Sequence, residues 1–488
     1  MSSVTRTYYW LQDGNEITGQ MLANIIAEIK PRSLEMKGLY ERFKGTKDGV
    51  PIHKREFPID NISKINNKLA NDFFSDIINT KVGYFAGKPI TYKYGGKTDI
   101  DKEVLGGFLK RTSYADLDSE TAKMAAICGY AVRYLYIDLD GAADVINVPP
   151  WECTFICDEI GVADAEYALR YYSTERDNKN YFKVEFFDQD TISYWIREGG
   201  IDSKEPFELD PQEEANPIAH LMDGCPLICF PNNEEMQGDC EKVLSLIDGY
   251  DKSLSDMNSE IEQFRLAYMA FIGMVPSDET LNKARQTGAF GFPEKDSRME
   301  FVTKNLNSAA VENHLKMLEE NIIYFAQSVR FSDEAFGQAS GVAMKFKIFA
   351  LESKCMICER KFIKSLYKMF EVLNGYFGRK SLNYDPGEFE FTFVRNFPLN
   401  LNDEVAALAT MKGLVSDETA YSQMSFIPDP IAEIEKVKKE QDAYMQAQQE
   451  LQNAAMQQQG QVDEFGNPIT QEQPPSQPAT SNTIGVST

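Results

Sequence analysis

Three histidines in 488 residues leave little imidazole for acid–base or metal chemistry, and only His53, His220 and His314 could serve. Basic residues are also in deficit, with Lys and Arg totalling 50 against 75 Asp and Glu, for a formal net charge of −25. A protein that grips nucleic acid gains affinity by neutralising phosphates, so this balance excludes a tight nucleic-acid binder. Long apolar runs are missing as well. The longest nearly apolar stretch, Leu266 to Val275, is about half of what a membrane span needs. The opening residues MSSVTRTYYWLQDG lack a basic region followed by an apolar one, so no signal peptide is expected. The eight cysteines are then read as reduced thiols of a cytosolic product.

Core-forming residues are not lacking. Hydrophobic residues make up 43% and aromatics 12%, which excludes general disorder, and the length predicts about three domains. Residues near Leu69, Phe73, Ile77 and Val82 recur at helical spacing, and Ile90 to Tyr94 alternates like a strand. YAVRYLYID and DVINV flank Asp140-Gly141, a hairpin signal. YALRYYS, YFKVEFFD and TISYWIRE then read as a meander, so the first 230 or so residues predict an α+β domain.

The texture changes at Cys240. Val243, Ile247, Tyr250, Leu254, Met257, Ile261, Phe264, Tyr268 and Phe271 follow a heptad spacing that predicts one helix over 240–272, about 50 Å long. A second stripe runs through Val311, Leu315, Leu318, Ile322, Phe325 and Val329. A third covers roughly 341–377 through Phe346, Phe349, Cys355, Cys358, Phe362, Leu366, Phe370, Leu373 and Phe377. These stripes bury either within one subunit or partly between subunits. The punctuated segment 275–305 between the first two makes an extended hairpin with a tip. FEFTFVRNF is a strand candidate, helical patterns continue to about 445, and 446–488 holds 11 Gln and 4 Pro and reads as disordered.

Each catalytic motif is incomplete. Gly96-Lys97-Thr98 resembles the end of a P-loop, but Thr91 stands where its first glycine belongs. GQASG at 337–341 has Ala339 where a nucleophile elbow needs serine. Cys355 and Cys358 fall mid-helix on an apolar stripe, unlike a redox pair at a helix start. Cys153, Cys157, Cys225 and Cys229 have loose spacing for zinc in strand surroundings. Asp138-Leu-Asp140-Gly141 lacks the later ligands of a calcium loop and reads as a turn. No enzyme, cofactor or metal is expected.

Several segments together resemble one family, the portal (head–tail connector) proteins of tailed bacteriophages of siphovirus type. They are NNKLANDFFSDIINTKVGYFAGKPITY at 66–92, GYAVRYLYIDLDG at 129–141 and FPNNEEMQGDCEKVLSLIDGYDKSLSDMNSEIEQF at 230–264. FGQASGVAMKFKIFALE at 336–352 follows, then RNFPLNLNDE, GLVSDETA and PDP between 395 and 430. The resemblance implies a wing at 1–239, a stem of helices at 240–274 and 306–330, and a small α/β clip at 275–305. A tunnel loop at 331–343, a long helix with wing strands at 344–399 and a helical crown at 400–445 would follow. It implies a ring of twelve subunits in the virion, with thirteen possible in isolation, around a channel for double-stranded DNA that is packaged and ejected. Implied partners are the terminase large subunit, head–tail adaptors, and major capsid and scaffolding proteins, with assembly in the host cytoplasm and no membrane. Ser332, Asp333, Gln338, Ser340 and Gly341 would approach DNA without reading bases, with phosphate contacts from Lys345 and Lys347. Lys283, Arg285, Lys295 and Arg298 would meet partners at the clip. Leu254, Met257 and Ile261 would pack the stem partly between subunits. The alternatives are another head–tail structural protein, such as an adaptor or minor capsid component, and a Cys-dependent metal or redox enzyme.

Overall fold

A computed structural model describes residues 2–56, 65–96, 102–158, 161, 165–264, 268–273, 275–289, 291, 296–302, 308–330, 341–382, 384–396, 401–411, 413–422, 424, 427 and 430–459. The chain forms two compact units, Met1–Leu399 and Asn400–Thr488, and the fold is α+β.

The first unit opens with helices α1 (Ser3–Gln12) and α2 (Gly19–Phe43), each capped by a hydroxyl, Ser2 or Thr18, that accepts a first-turn N–H. Helices α3 (Phe73–Phe85), α4 (Lys102–Arg111) and α5 (Tyr114–Cys128) follow, with strand β1 (Thr91–Tyr94) between α3 and α4. Strands β2 (Tyr130–Ile137) and β3 (Ala143–Val148) form the expected hairpin. At its turn Gly141 has φ +74°, and the Asp138 carboxylate accepts the N–H groups of Asp140 and Ala142 at 3.0 and 2.7 Å. The segment that imitates a calcium loop is thus a turn whose aspartate binds backbone.

Strands β4 (Cys153–Ile156), β5 (Tyr167–Arg176), β6 (Lys179–Phe187), β7 (Thr191–Glu198) and the short β8 (Glu208–Leu209) form an antiparallel sheet, with β9 (Ile218–Ala219) also on β7. Leu22, Ile25 and Ile26 of α2 cover one face, against Leu169, Phe182 and Val184. Strand β10 (Leu227–Pro231) pairs with β2, aligning Phe230 with Ala131.

Helix α6 (Leu244–Phe264) is shorter than the heptad spacing predicts, because residues 268–272 are not helical. Tyr268–Ile272 is strand β11, paired antiparallel with β12 (Arg298–Val302), so Tyr268 and Phe271 leave the helical stripe. An aromatic and branched run ending at Gly273, with φ +84°, meets strand geometry as readily as a heptad. Helix α7 (Asp278–Thr287) lies between these strands, and α8 (Ser308–Phe325) follows them.

Helix α9 (Gly341–Arg379) has 39 residues, about 58 Å at 1.5 Å each. Its buried stripe runs Ile348, Leu351, Cys355, Cys358, Phe362, Leu366, Met369, Phe370, Leu373 and Phe377. Phe346 and Phe349, expected on that stripe, are instead 79% and 69% exposed. The step from Phe349 to Cys355 is six residues, which breaks the 3–4 pattern that Ile348 and Leu351 keep. Strand β13 (Phe389–Thr392) returns to pair with β1, aligning Thr91 with Thr392.

The second unit contains α10 (Leu401–Met411), α11 (Asp417–Ser422) and α12 (Pro430–Gln459). Helix α12 continues fourteen residues into the stretch expected to be disordered, since Gln and Ala favour helix even where nothing packs. Among the described residues no helix is long and apolar enough to cross a membrane.

Candidate functional site

Three polar assemblies hold the elements around α6 and α9. The first is centred on Asp239, whose side chain is buried against the buried Lys81 and Asn232. Lys81, on α3, meets the Asp239 carboxylate at 2.9 Å and donates to the Asn232 side-chain oxygen. Asn232 in turn donates to Asp239 at 3.1 Å and to the Gln237 carbonyl at 2.9 Å. From α9, Lys354 approaches Asp239 at 3.7 Å and donates to the Ala326 carbonyl at 2.8 Å. Burial alone would lower the pKa of Lys81, but Asp239 outweighs it and holds the ammonium above its usual range. For Asp239 burial pushes upward, yet Lys81 and Lys354 together hold the carboxylate below its usual range. Lys354 is lowered by burial, with Asp239 opposing. A cavity of about 230 Å³ lies beside this assembly, lined in part by Asn232, Asp239, Phe325 and Lys354.

The second assembly is centred on Arg133, in the middle of β2 and 1% exposed. It donates to Asp118 at 2.6 Å and to Thr121 at 2.9 Å, and its guanidinium lies 4.5 Å from the Phe230 ring centroid. Tyr92 donates to the same aspartate at 2.9 Å. Burial raises the Asp118 pKa and Arg133 opposes. The third joins α9 to the chain after β13: Arg395 binds Glu352 at 3.0 Å and Glu359 at 2.6 Å, and Tyr84 donates to Glu352 at 2.6 Å.

Helix α6 carries a polar ladder. Beyond Tyr250 its buried residues, among those described, are Asp251, Ser255 and Ser259, at i, i+4 and i+8 on one face. They accept the backbone N–H groups of Asn71, Leu69 and Asn67 at 2.9, 2.9 and 3.1 Å. Alternate N–H groups of an extended chain point the same way, so every second residue meets every fourth helical one. Arg55 pairs with Asp256, and Asn67 reaches Glu262 at 2.9 Å. Burial raises the Asp251 pKa, while its bonds from Asn71 oppose the rise.

The residues singled out from the sequence are scattered relative to these assemblies. Leu254 and Met257 are half-buried on α6, and Ile261 is 47% exposed. Lys283 is exposed on α7 and pairs with Glu279 at 3.4 Å. Arg298, exposed on β12, pairs with Glu300 at 2.9 Å. Arg285 and Lys345 are in helices α7 and α9, Gly341 opens α9, and Lys347 is exposed on it. Ser332, Asp333, Gln338, Ser340 and Lys295 lie outside the described residues.

All eight cysteines are buried and unpaired in disulfides. Burial pushes the Cys225 and Cys355 thiols up to about 12, and Cys157 to about 11, so these sulfurs stay protonated and serve as packing atoms. Among the described residues no group of three or more His, Cys, Asp or Glu is placed to hold a metal ion.

Sequence reasoning missed Lys81, Lys354, Arg395 and the Asp251–Ser255–Ser259 face. The first two lie inside apolar helical stretches, where a lysine reads as solvated. Asn232 and Asp239 do belong to the FPNN and Gly-Asp residues that carried the resemblance, and they now have a physical role.

The chain resembles known proteins over most of its length. The family described as "Phage portal protein, SPP1 Gp6-like" matches residues 21–447. The portal protein of Bacillus phage SPP1 is 25% identical over 408 residues, covering 80% of this chain and 79% of that protein. The portal protein of Clostridium phage phiCD119 is 22% identical over 413 residues, covering 80% and 88%. The match takes in the Asp239 and Arg133 assemblies, the ladder and all of α9, and the chain belongs to the SPP1 Gp6-like family of phage portal proteins.

Proposed function

We propose that the chain assembles into a closed ring, twelve copies in the virion, whose central channel passes double-stranded DNA during packaging and ejection. Family membership supplies the portal role, which is structural rather than catalytic and belongs to the virion. The finer assignment follows the elements. Residues 1–239 with β13 act as the wing, and α6 with α8 as the stem. The β11–α7–β12 module acts as the clip that meets the terminase large subunit and later the head–tail adaptor. Residues 331–343 serve as the tunnel loop, and 400–445 as the crown.

The observation that carries this reading is the pair α6 and α8 flanking a strand–helix–strand module at 268–302. A two-helix extension of this kind leaves Ile261, Met317 and Tyr324 exposed, and neighbouring copies in a closed ring would cover them. Charge fits a conduit better than a clamp. Twelve copies at −25 each carry about −300, and such a wall disfavours adhesion to a polyanion while a few lysines make passing contacts. Electron-microscopy class averages of the purified chain test the reading: rings of twelve or thirteen copies with a central hole are expected, and a uniform monomer would overturn it.

A further inference from the structure

Helix α9 carries a second stripe, on the side away from its core. Phe346, Phe349, Ser353, Met356 and Arg360 recur three and four residues apart, with Ile357 beside Met356, while the buried stripe through Leu351, Cys355 and Phe362 faces the other way. Phe346, Phe349, Met356 and Ile357 are all exposed, so four large apolar side chains face solvent along about three turns of one helix. The charges beside them have one sign. Glu352 and Glu359 are both held by Arg395, and the exposed charged residues from Phe346 to Lys364 are Lys347, Arg360 and Lys364. Arg360 makes no hydrogen bond or ion pair among the described residues. An unpaired arginine closing an apolar and aromatic stripe has the composition of an interface centre.

Helix α8 has a face that complements it. Asn313, Met317, Glu320 and Tyr324 are exposed at i, i+4, i+7 and i+11, opposite the buried Ile322. Met317 is 52% and Tyr324 76% exposed, and Glu320 stands between them. Glu319 is taken by Arg330, whereas Glu312 and Glu320 have no ion pair among the described residues. Lys316 flanks Glu320 one turn earlier and does not pair with it.

We propose that the exposed stripe of α9 seats on the exposed stripe of α8 of the adjacent copy, with Arg360 meeting Glu320 of that copy and Met356 and Ile357 packing against its Met317 and Tyr324. The contact is heterologous. Each copy gives α9 to one neighbour and α8 to the other, which is the kind of contact that a cyclic ring of more than two equivalent copies repeats. Every copy then has both faces covered, and no end is left open. The mixture of charge and apolar surface selects a second copy over the duplex in the channel. DNA would meet Lys347, Arg360 and Lys364 but leave the four apolar side chains in water, whereas α8 offers an unpaired carboxylate between two apolar residues.

The inference rests on the ring reading, and charge exchange in the full-length chain tests it. Arg360→Glu sets two carboxylates against each other at every contact, and Glu320→Arg sets two cations. The penalty recurs around the ring, so each variant alone should lower the fraction of chain in rings by at least about tenfold. Both substitutions in one chain should bring the fraction back to within about twofold of the parent. Mixing the two single variants should also restore rings, because in an alternating ring every contact again joins opposite charges. Native mass spectrometry of the mixture should then find even numbers of copies with equal shares of each variant. Rescue by mixing also shows that each variant folds. Rescue in one chain without rescue by mixing would put Arg360 and Glu320 in contact within a chain and overturn the proposal. Failure of both rescues would overturn it, and so would normal rings from either single variant, the result expected if Arg360 faces DNA. A parent chain that stays monomeric by light scattering would remove the ring reading itself.

Discussion

Ser255→Ala removes the middle rung of the α6 ladder with little loss of volume. The Leu69 N–H, now 2.9 Å from the Ser255 hydroxyl, loses its acceptor next to a position that is fully buried. An unsatisfied buried donor costs about 1–3 kcal/mol, and the rungs at Asn71 and Asn67 limit how far the segment moves to find water. The penalty falls on local opening of residues 66–72 rather than on the whole fold. At about 1.4 kcal/mol per factor of ten, exchange of the Leu69 amide should accelerate by roughly 5- to 150-fold. Hydrogen–deuterium exchange read by mass spectrometry on peptides covering 66–72 measures this, with the exposed Lys252→Ala as control. Peptides from β5 and β6 should be unchanged. Protection of 66–72 that stays within twofold of the parent in a folded Ser255→Ala protein would refute the reasoning.

Three further outcomes follow from other contacts. Lys81→Met leaves the Asp239 carboxylate buried beside Lys354 alone and should destabilise the first unit by about 3–5 kcal/mol, read as a lower urea midpoint. His220 is held neutral by burial, its pKa lowered, so its contribution is fully present above the unfolded value of about 6.5 and is lost as pH falls below that value through the lowered folded one. Urea midpoints between pH 7.5 and 5.5 should drop less steeply in His220→Gln than in the parent, and identical slopes would dismiss this role. Met257→Glu places a charge on the half-buried α6 stripe and should abolish rings in negative-stain images; normal rings would exclude Met257 from the contact between copies.

Legibility from sequence varied with how many structures a pattern permits. The β2–β3 hairpin was readable because Asp140-Gly141 sits between two apolar runs, and positive φ at Gly141 leaves few alternatives. The β11 strand was not, because Tyr268 and Phe271 continue the heptad spacing, and its partner Arg298–Val302 lies some thirty residues away. Phe346 and Phe349 were placed on the wrong face since aromatic character outweighed the broken spacing. The ladder was invisible for a different reason. Serine and aspartate at i, i+4 and i+8 look like a solvated helix face unless their partner is known, and the partner is backbone, which carries no residue signature. The Asp239 assembly was half legible, through Asn232 and the Gly-Asp pair but not through Lys81 or Lys354.

The spacing of the ladder has a mechanical consequence. Four helical residues advance 6.0 Å, whereas two extended residues advance about 6.6–6.8 Å, so the two scales drift apart by about 0.7 Å per step, like a vernier. Three coincident marks are close to the limit, and Asn67 already uses its side chain to reach Glu262. Because the marks repeat, axial sliding of α6 past this segment has seats about 6 Å apart: a shift by one mark restores two of the three bonds, and intermediate positions restore none. Structures of this portal protein in different functional states should therefore differ at the junction by nothing or by a whole step.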